Sequence, residues 1–418
     1  MSLAVRGAQL DGTLVGLRVE EDRIVALGAG VEPEAGDDVL DAAGMAVVPG
    51  LVNGHTHAAM TLMRGYGGDL PLMTWLQDRI FPIEAKLTAD DVYWGTRLAC
   101  VEMIRSGTVR FWDMYWQPEA VARAVQDAGV RASVALPLVD ALDSDKSDAL
   151  RADAERSLDA LADAGPRITP TLGPHSIYLV SEKSLHWIAE LSSERDLRVH
   201  IHLSETEGEV QDCVAAHGFR PAPYLDRIGL LTPRTLLAHG VWLDDHELGL
   251  IGERGATIVT NPVSNLKLAV GRVFPYAKAR RQGIPVGLGT DGASSNNSLD
   301  LFQDMKHFAL VQKHAERDPA AMPATETWAV ATGQRAPVLG QPGRLAVGEP
   351  ADFLLVRSDA PELTPGDLTA NLVYAAAGSV VDTTVVAGRV LMRGGEIGDE
   401  ADVRAGAIAS ARRLGVLE

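Results

Sequence analysis

Apolar runs typical of buried strands alternate with amphipathic segments through the middle of the chain, over residues 48–340. Between the runs lie longer segments whose apolar positions recur at helical spacing. Several of these predicted helices end at a glycine, as at Gly107, Gly129 and Gly255, where helices commonly stop. The predicted strands are AVVPGLVNGHTH, TVRFWDMY, RASVALPLVD, RITPTLGPHS, RVHIHLSE, TLLAHGVWL, TIVTNPVSN and PVGLGTDGA.

Eight strands separated by helices over roughly 290 residues predict a (β/α)₈ barrel of the TIM type. The alternative is an open doubly wound sheet, which usually has fewer strands and a glycine-rich phosphate turn near its start. Neither a GxGxxG nor a Walker motif opens a helix in this sequence. The barrel is therefore the preferred fold.

The two ends of the chain consist of short strand-like runs and turns. LVGLRVEEDRIVALG predicts a hairpin that turns at Glu21-Asp22, and near the C-terminus Ala387-Gly388 separates two further β-rich runs. Neither end is large enough to form a core alone, so we expect them to pair into one small β-sandwich domain. The predicted domains are a first part over 1–49, the barrel over 50–343, and a second part with a C-terminal helix over 344–418.

Composition excludes several classes of protein. With 46% hydrophobic and 22% charged residues the chain is typical of a globular protein, and its net charge of −18 disfavours nucleic-acid binding because phosphates would be repelled. The cysteines, Cys100 and Cys213, are too few for a disulfide framework and are predicted to be buried or partly buried thiols. No signal pattern or apolar run of ~20 residues is found, so we predict a cytoplasmic protein without a membrane partner.

Ionisable residues concentrate where the predicted strands open into loops, which in a barrel is the catalytic end. GHTH ends the first strand, GPHS the fourth, HLSE the fifth, AHG the sixth and GTDG the eighth. Because these ends converge around the barrel mouth, we expect their side chains to share one site. The residues concerned are His55, His57, His175, His202, Glu205, His239 and Asp291.

The spacing of His55 and His57 indicates a metal site. Residues two apart on a strand point to the same side, so both imidazoles can reach one ion. This pair alone is a weak signal, but histidines on strands five and six and an aspartate after strand eight make it strong, and such a set suits zinc or iron(II). His200 shares a face with His202, and either could be the ligand. We prefer His202, which is nearer the strand end, and predict that His200 lies deeper in the barrel.

At this point the sequence resembles a known family. PGLVNGHTH, GPHS, HLSE, the strand-six histidine, NPVSNLKL and LGTDGASSNNSLD are together similar to the amidohydrolase superfamily, and within it to deaminases of 5′-methylthioadenosine and S-adenosylhomocysteine. The similarity covers the whole chain, including LAVGEPADFLLV at the return into the small domain. It implies one Zn²⁺ per subunit, or Fe²⁺. No lysine ends strand four to bridge a second ion. The implied ligands are His55, His57, His202 and Asp291.

The resemblance also implies the catalytic roles. Glu205 would protonate a ring nitrogen and carry a proton to the departing ammonia, Asp291 would take the proton of the attacking water, and His239 would orient or polarise the nucleophile. Each residue also has a structural interpretation: Asp291 as a helix N-cap, Glu205 as an exposed helix-start acid, and His239 as a packed core histidine. The predicted reaction converts an adenosine derivative into the inosine derivative and ammonia.

The long excursion LMRGYGGDLPLMTWLQDRIFPIEAKL after strand one is expected to form part of the pocket. In it, Trp75 could stack on the base and Glu84 could bind ribose hydroxyls, and the resemblance supports both roles. Trp75 is equally consistent with a helix-core anchor. His175 is expected to contact the sugar or the tail of the substrate, together with Glu205 at the base.

One departure from the family bears on the substrate. Family members that use S-adenosylhomocysteine carry an arginine near the end of strand three, where this chain has Leu136 and Pro137. Arg151 is a candidate second carboxylate contact, although a solvated helix arginine is an equal interpretation. The apolar Leu136 favours an uncharged tail, hence 5′-methylthioadenosine, 5′-deoxyadenosine or adenosine over S-adenosylhomocysteine.

The same fold and metal site are also consistent with other functions. The site also suits deaminases or chlorohydrolases of guanine, pterin or triazine rings, and more remotely a non-catalytic assembly protein. The expected partner is a small nucleoside, and a homo-oligomer is possible.

Overall fold

The computed structural model describes residues 2–141 and 147–417. Its strands are β1 (Ser2–Leu10), β2 (Thr13–Glu20), β3 (Arg23–Gly28), β4 (Asp38–Asp41), β5 (Met45–Pro49), β6 (Leu51–Thr56), β7 (Thr108–Met114), β8 (Arg131–Leu138), β9 (Ile168–Pro174), β10 (Val199–Leu203), β11 (Thr235–His239), β12 (Thr257–Thr260), β13 (Val286–Leu288), β14 (Phe353–Arg357), β15 (Val381–Val386) and β16 (Arg389–Met392).

Helices lie between and after these strands. They are α1 (Leu72–Trp75), α2 (Phe81–Glu84), α3 (Ala89–Arg105), α4 (Pro118–Ala128), α5 (Ser147–Ala162), α6 (Glu182–Arg195), α7 (Glu207–His217), α8 (Pro221–Ile228), α9 (Asp245–Arg254), α10 (Pro262–Lys267), α11 (Tyr276–Arg281), α12 (Leu301–Glu316), α13 (Ala324–Ala331), α14 (Leu368–Tyr374) and α15 (Glu400–Leu414). Short 3₁₀ segments cover Ala58–Met63, Pro337–Leu339, Pro361–Leu363 and Gly378–Val380, and a π turn over Leu76–Ile80 joins α1 to α2.

Strands β6 to β13 form one parallel sheet in chain order, and the last strand lies against the first. The Asp291 N–H, just beyond the end of β13, donates to the carbonyl oxygen of His55 near the end of β6 at 3.0 Å, which joins the two edges at the barrel mouth. Each of the eight predicted barrel strands is present. Sequential order without a reversal is that of a TIM-type barrel and differs from the doubly wound sheet.

The two chain ends build the second sheet. Strands β1 to β5 come from the first 49 residues, and β14 to β16 return from the C-terminal part to pair with them. The join is the antiparallel pair β5–β14, in register from Met45 opposite Arg357 to Pro49 opposite Phe353. The hairpin turns predicted at Glu21-Asp22 and Ala387-Gly388 are both observed. The predicted fold class, a TIM-type barrel with a small β domain from both ends, is confirmed.

Local signals in the sequence account for the helix boundaries around the barrel. Thr88 and Asp91 form a capping box at the start of α3, and Asp244 and Glu247 form another at the start of α9. Gly255 ends α9 in the left-handed conformation with φ 73°, which a residue without a Cβ adopts at little cost. The helices therefore begin and end where the sequence indicates, and they leave the strand ends free to carry the site.

Cys100 on α3 and Cys213 on α7 are both buried and unpaired, as predicted. Among the helices of the described residues, none combines the length and the apolar character needed to cross a bilayer.

Candidate metal and catalytic centre

Four imidazoles and one carboxylate meet at the C-terminal mouth of the barrel. The Nε2 atoms of His57 and His202 lie 3.3 Å apart. The Oδ1 atom of Asp291 lies 3.4 Å from His55 Nε2 and 3.3 Å from His57 Nε2. His239 joins His55 and Asp291 in a second group whose ligand atoms all lie within 4.8 Å of one another. Residues from four strands, up to 236 positions apart in the chain, therefore converge on one point.

The chemistry of this cluster fits a divalent cation. His55 Nε2 is fully buried and has no hydrogen-bond partner among the described residues, although buried ring nitrogens are nearly always paired. Burial lowers the pKa of His55 to about 4 and that of His202 well below its usual range, so both rings are neutral near pH 7. A neutral imidazole has a free lone pair, which is the state that binds metal ions.

Each candidate ligand histidine is oriented by a hydrogen bond from its other ring nitrogen. His57 Nδ1 lies 2.7 Å from the Met114 carbonyl oxygen, and His202 Nδ1 lies 2.6 Å from the His175 carbonyl oxygen. With the proton on Nδ1 in both rings, Nε2 is left to face the cluster. These contacts fix the tautomer by geometry.

For His55 the orienting partner is a third imidazole, since His55 Nδ1 lies 2.8 Å from His200 Nε2. His200 is fully buried beneath the cluster, with Trp112 packed edge-on against its ring. Of the two histidines on β10, His202 thus presents Nε2 to the cluster and His200 lies deeper, against His55.

Asp291 is held so that one oxygen faces the imidazoles. Its Oδ2 accepts hydrogen bonds from Ser264 Oγ at 2.7 Å and Ser295 Oγ at 2.9 Å, while Oδ1 accepts from the Gly292 N–H at 2.8 Å. Burial alone would raise the pKa of Asp291, but the imidazoles that surround its carboxylate hold this pKa well below its usual range. Asp291 does not cap the following helix, because α12 is capped by Asp300.

His239 and Glu205 form a neighbouring pair, with His239 Nδ1 and Glu205 Oε1 3.8 Å apart. The Oδ1 atom of Asn265 lies 2.8 Å from the same His239 nitrogen. Burial alone would lower the pKa of His239, but the carboxylates of Glu205 and Asp291 raise it. Burial raises the pKa of Glu205, a shift that suits a group transferring protons near neutral pH. Glu205 is only 7% exposed and precedes α7, so it is not a solvated helix-start residue.

A cavity of about 500 Å³ opens above this cluster. The segment from α1 through the π turn to α2 forms one wall and contributes Trp75 and Glu84. Burial raises the pKa of Glu84, whose carboxyl faces Trp116 and Tyr115. His175 lines the cavity from the end of β9, with its ring 4.5 Å from the His202 ring centroid.

The structure corrects the position assigned to Leu136. This side chain points outward from β8 and, with Ala154 and Leu158 of α5, lines a separate small void. The neighbouring Pro137, and Val139 two positions further on, face the cavity instead. Strand side chains alternate between the two faces, so the register decides which one lines the pocket. The wall is apolar as expected, but Leu136 does not form it.

Arg151 is not brought to the cavity. It lies on α5 and pairs with Asp148 one turn earlier on the same helix. Among the described residues, Arg151 does not appear in the cavity wall. Its side chain is 12% exposed, so it is not a fully solvated arginine, and its contact with a substrate carboxylate stays a prediction.

Several site residues are absent from the sequence predictions. Their signals are weak because a serine, an asparagine or a tyrosine in a loop has many common structural roles. Four of them lie in the motifs NPVSN and GASSNN. The residues are Tyr115, Trp116, Tyr178, Asn261, Ser264, Asn265 and Ser295.

Comparison with known proteins shows the same relationship. Residues 46–391 match the model of the amidohydrolase family. The chain belongs to this family. A 5′-deoxyadenosine deaminase from Methanoregula boonei is 50% identical over 383 residues, covering 90% of this chain and 86% of the relative. 5-Methylthioadenosine/S-adenosylhomocysteine deaminase 1 from Archaeoglobus fulgidus is 42% identical over 91% of this chain and 89% of its own length.

A solved structure supports the same assignment. The crystal structure of an adenosine deaminase from Xanthomonas campestris with bound zinc superposes with a TM-score of 0.89 at 33% identity, over 96% of this chain and 94% of that one. The predicted resemblance is therefore confirmed. So is the predicted class, a hydrolase acting on carbon–nitrogen bonds.

A buried carboxyl beneath the site makes the stability of this amidohydrolase depend on pH. Asp304 is fully buried and accepts hydrogen bonds from the Val263 N–H at 3.2 Å and from Asn296 Nδ2 at 3.1 Å, next to the serines that hold Asp291. Burial raises its pKa to about 8. Between the unfolded pKa near 4 and this value, the folded protein holds one proton more than the unfolded chain. Its contribution to stability is therefore complete below about pH 4 and is lost as the pH rises towards 8.

Asp304→Asn removes this titration. Relative to the variant, the wild-type free energy of unfolding is expected to fall by about 1.4 kcal/mol per pH unit between about pH 5 and 7. Urea unfolding of both proteins across that range measures the difference in slope, which does not depend on any fixed cost of the substitution. Parallel pH dependences would show that Asp304 is ionised in the folded protein.

Proposed function

We propose that this protein is a metal-dependent hydrolytic deaminase that converts an adenosine with an uncharged 5′ substituent into the inosine derivative and ammonia. The observation that carries the proposal is the position of Glu205, which lies beside the four-residue ligand cluster at the floor of a cavity. Trp75 and Glu84 line the same cavity. The relatives named as deaminases of 5′-deoxyadenosine and of 5-methylthioadenosine/S-adenosylhomocysteine support the choice of an adenosine ring, and the first of them supports an uncharged tail.

His55, His57, His202 and Asp291 would hold one ion, for which Zn²⁺ is the first choice and Fe²⁺ the alternative. Such an ion lowers the pKa of water towards neutrality and so supplies a nucleophile at pH 7. Asp291 Oδ2 accepts hydrogen bonds from two serine hydroxyls, so Oδ1 is the oxygen that faces the ion and the water. That arrangement leaves Asp291 Oδ1 able to accept the proton of the attacking water.

Glu205 performs the proton transfers to the base. Burial raises its pKa and so favours the protonated carboxyl, which donates to the ring nitrogen next to the carbon under attack. After the carbon–oxygen bond has formed, the Glu205 carboxylate takes the proton of the new hydroxyl group and passes it to the exocyclic amine, and the carbon–nitrogen bond breaks to release ammonia. The proton held by Asp291 then returns to Glu205, which restores both groups. His239, fixed by Asn265, orients the nucleophile on the other side.

Contacts along the cavity would position the nucleoside. Trp75 packs against the base from α1, Glu84 accepts hydrogen bonds from ribose hydroxyls, and His175 borders the sugar near the tail. The tail itself would lie against Pro137 and Val139, which offer no charge.

The part of the cavity that borders the substrate's tail, Pro137 and Val139, is called the tail wall, and its apolar character predicts discrimination against S-adenosylhomocysteine. Its amino-acid group carries charges that would lose hydration against Pro137 and Val139, and neither of these two side chains offers a partner. We expect kcat/KM for S-adenosylhomocysteine to be at least ~10-fold below that for 5′-methylthioadenosine or 5′-deoxyadenosine, which corresponds to about 1.4 kcal/mol. Steady-state assays that follow the shift of the purine ultraviolet spectrum measure this ratio. Comparable kcat/KM values would contradict the preference.

A substrate panel tests the proposed function as a whole. Purified protein is analysed for bound metal and assayed for ammonia release with adenosine derivatives, guanine, a pterin and an amino-triazine. Turnover confined to adenosine derivatives supports the proposal, whereas a better rate on another ring would move the protein to another branch of the family. Cytoplasmic location and a homo-oligomeric state stay predictions from the sequence.

A further inference from the structure

A second glutamate lies behind Glu205 and has no part in the reaction described above. Glu209 is buried on the first turn of α7 and does not line the cavity. Its Oε1 accepts a hydrogen bond from the Ser204 N–H and its Oε2 one from the Glu205 N–H, both at 2.8 Å. Among the described residues, no arginine or lysine forms an ion pair with it. The whole carboxylate is thus committed to two successive peptide groups, one of them that of Glu205.

This contact differs from the usual role of a glutamate at the same helix position. In a capping box the third helical residue accepts a hydrogen bond from the N–H of the N-cap residue. Asp91 does so in α3 and Glu247 in α9. In α7 the N-cap is Thr206, which accepts from the Glu209 N–H, but the Glu209 side chain reaches past Thr206 to the two residues before it. Its contacts therefore lie outside the helix.

The segment that Glu209 holds is under conformational strain. Ser204 has φ 53°, a left-handed conformation that costs a residue with a side chain of order 1 kcal/mol. On its other side, the Ser204 carbonyl oxygen accepts from the Trp242 N–H at 2.8 Å and the Leu203 carbonyl oxygen from the Gly240 N–H at 3.0 Å. The turn is thus fixed from both sides, and the side chain of Glu205 leaves it towards the cavity.

We propose that Glu209 is a positioning residue for Glu205. By holding the Ser204 and Glu205 peptides in the strained turn, it aims the Glu205 carboxyl at the reacting base. The inference rests on the proposed function, in which Glu205 transfers the protons. A displacement of about 1 Å of a catalytic group can reduce the rate by ~100-fold, so loss of this contact has a kinetic consequence even where the fold is retained.

Glu209→Gln keeps the shape of the side chain, but its amide nitrogen meets one of the two N–H groups as a second donor. We expect kcat to fall by about 10- to 100-fold with KM changed less than ~3-fold and metal content unchanged, because the nucleoside contacts and the ligands stay in place. Glu247→Gln is the matched control. It alters a buried glutamate at the same position of α9, away from the cavity, and should lower stability without changing kcat.

A double variant separates positioning from a general structural effect. If Glu209 acts through Glu205, then adding Glu209→Gln to Glu205→Gln should cause little further loss of kcat, whereas independent effects multiply. A wild-type kcat in folded Glu209→Gln, or full multiplication in the double variant, would overturn the inference. Glu209→Asp, which keeps the charge but is too short to bridge both peptides, should show the same loss. If both variants fail to fold, Glu209 serves the fold and the inference is wrong.

The same experiment distinguishes the two proposals. Normal turnover in Glu205→Gln itself would show that the proton-transfer role is wrong, whatever Glu209 does. A large loss in Glu205→Gln together with normal turnover in Glu209→Gln would leave the proposed function standing and remove only the positioning role.

Discussion

Glu205→Gln is expected to bind its metal ion normally and to lose about 10²- to 10⁴-fold in kcat, the usual contribution of a general acid–base group. The substitution keeps the side-chain shape in a site where Glu205 is 7% exposed, but it removes the group that donates and accepts the proton. Metal analysis, steady-state kinetics with 5′-methylthioadenosine and thermal unfolding together measure the effect. A metal content equal to that of the wild type shows that the ligand cluster is intact.

The matched control for this prediction is Glu207→Gln, two residues further along the chain. Glu207 is exposed on the first turn of α7, so its substitution removes the same charge from the same region without touching the cavity. Its kcat should be that of the wild type. Equal losses in the two variants would indicate a general effect of charge, and normal turnover in Glu205→Gln would refute its role in proton transfer.

Asp291→Asn is expected to have the second large effect, with kcat/KM reduced by at least ~10³-fold and a weaker hold on the metal ion. The amide keeps an oxygen but has no negative charge among four imidazoles, and it cannot accept the proton of the attacking water. Its nitrogen also meets the Ser264 and Ser295 hydroxyls, which now donate to Asp291 Oδ2. Metal titration and kinetics at saturating metal measure the two losses separately.

Metal removal provides the comparison for this variant. Wild-type protein treated with a chelator should lose activity and recover it when Zn²⁺ is added back, whereas Asp291→Asn should stay impaired at any Zn²⁺ concentration. Full recovery of Asp291→Asn at high Zn²⁺ would show that Asp291 only binds the ion and does not accept a proton.

Much of the architecture could be predicted because its signals are local. Each barrel strand is a short apolar run followed by an amphipathic helix, and the runs ending at His57, His202 and Asp291 carry most of their polar residues towards their C-terminal ends. In a barrel those ends lie on one face, so the rule for the fold brings the candidate site together without any distance being known.

The side chains of the tail wall could not be predicted in this way. Whether Leu136 or Pro137 faces the cavity depends on the register of β8 against its neighbours and on the tilt of the strands in the barrel. A shift by one residue exchanges the two faces. The chain identifies an apolar strand end, but the sheet decides which of its side chains a substrate meets.

Arg151 and Glu209 also show that the contacts of a charged side chain depend on the tertiary structure. Arg151 has a positive charge that could bind a carboxylate and lies on the helix that follows β8, yet in the structure it pairs with Asp148. Glu209 looks like an ordinary helix-start acid, yet the strained turn at Ser204 brings two peptide N–H groups within 2.8 Å of its carboxylate.

The sequence by itself determined the barrel, the small domain built from both ends, the family, and the set of residues from which a metal and acid–base site can be built. Only the tertiary structure decided which histidine of β10 faces the cluster, that His200 supports His55, that Ser264 and Ser295 hold Asp291, and what borders the tail. The first group follows from periodicity and from the position of polar residues along each strand. The second depends on distances of a few ångströms between segments far apart in the chain, which are set by strand register, helix rotation and close packing.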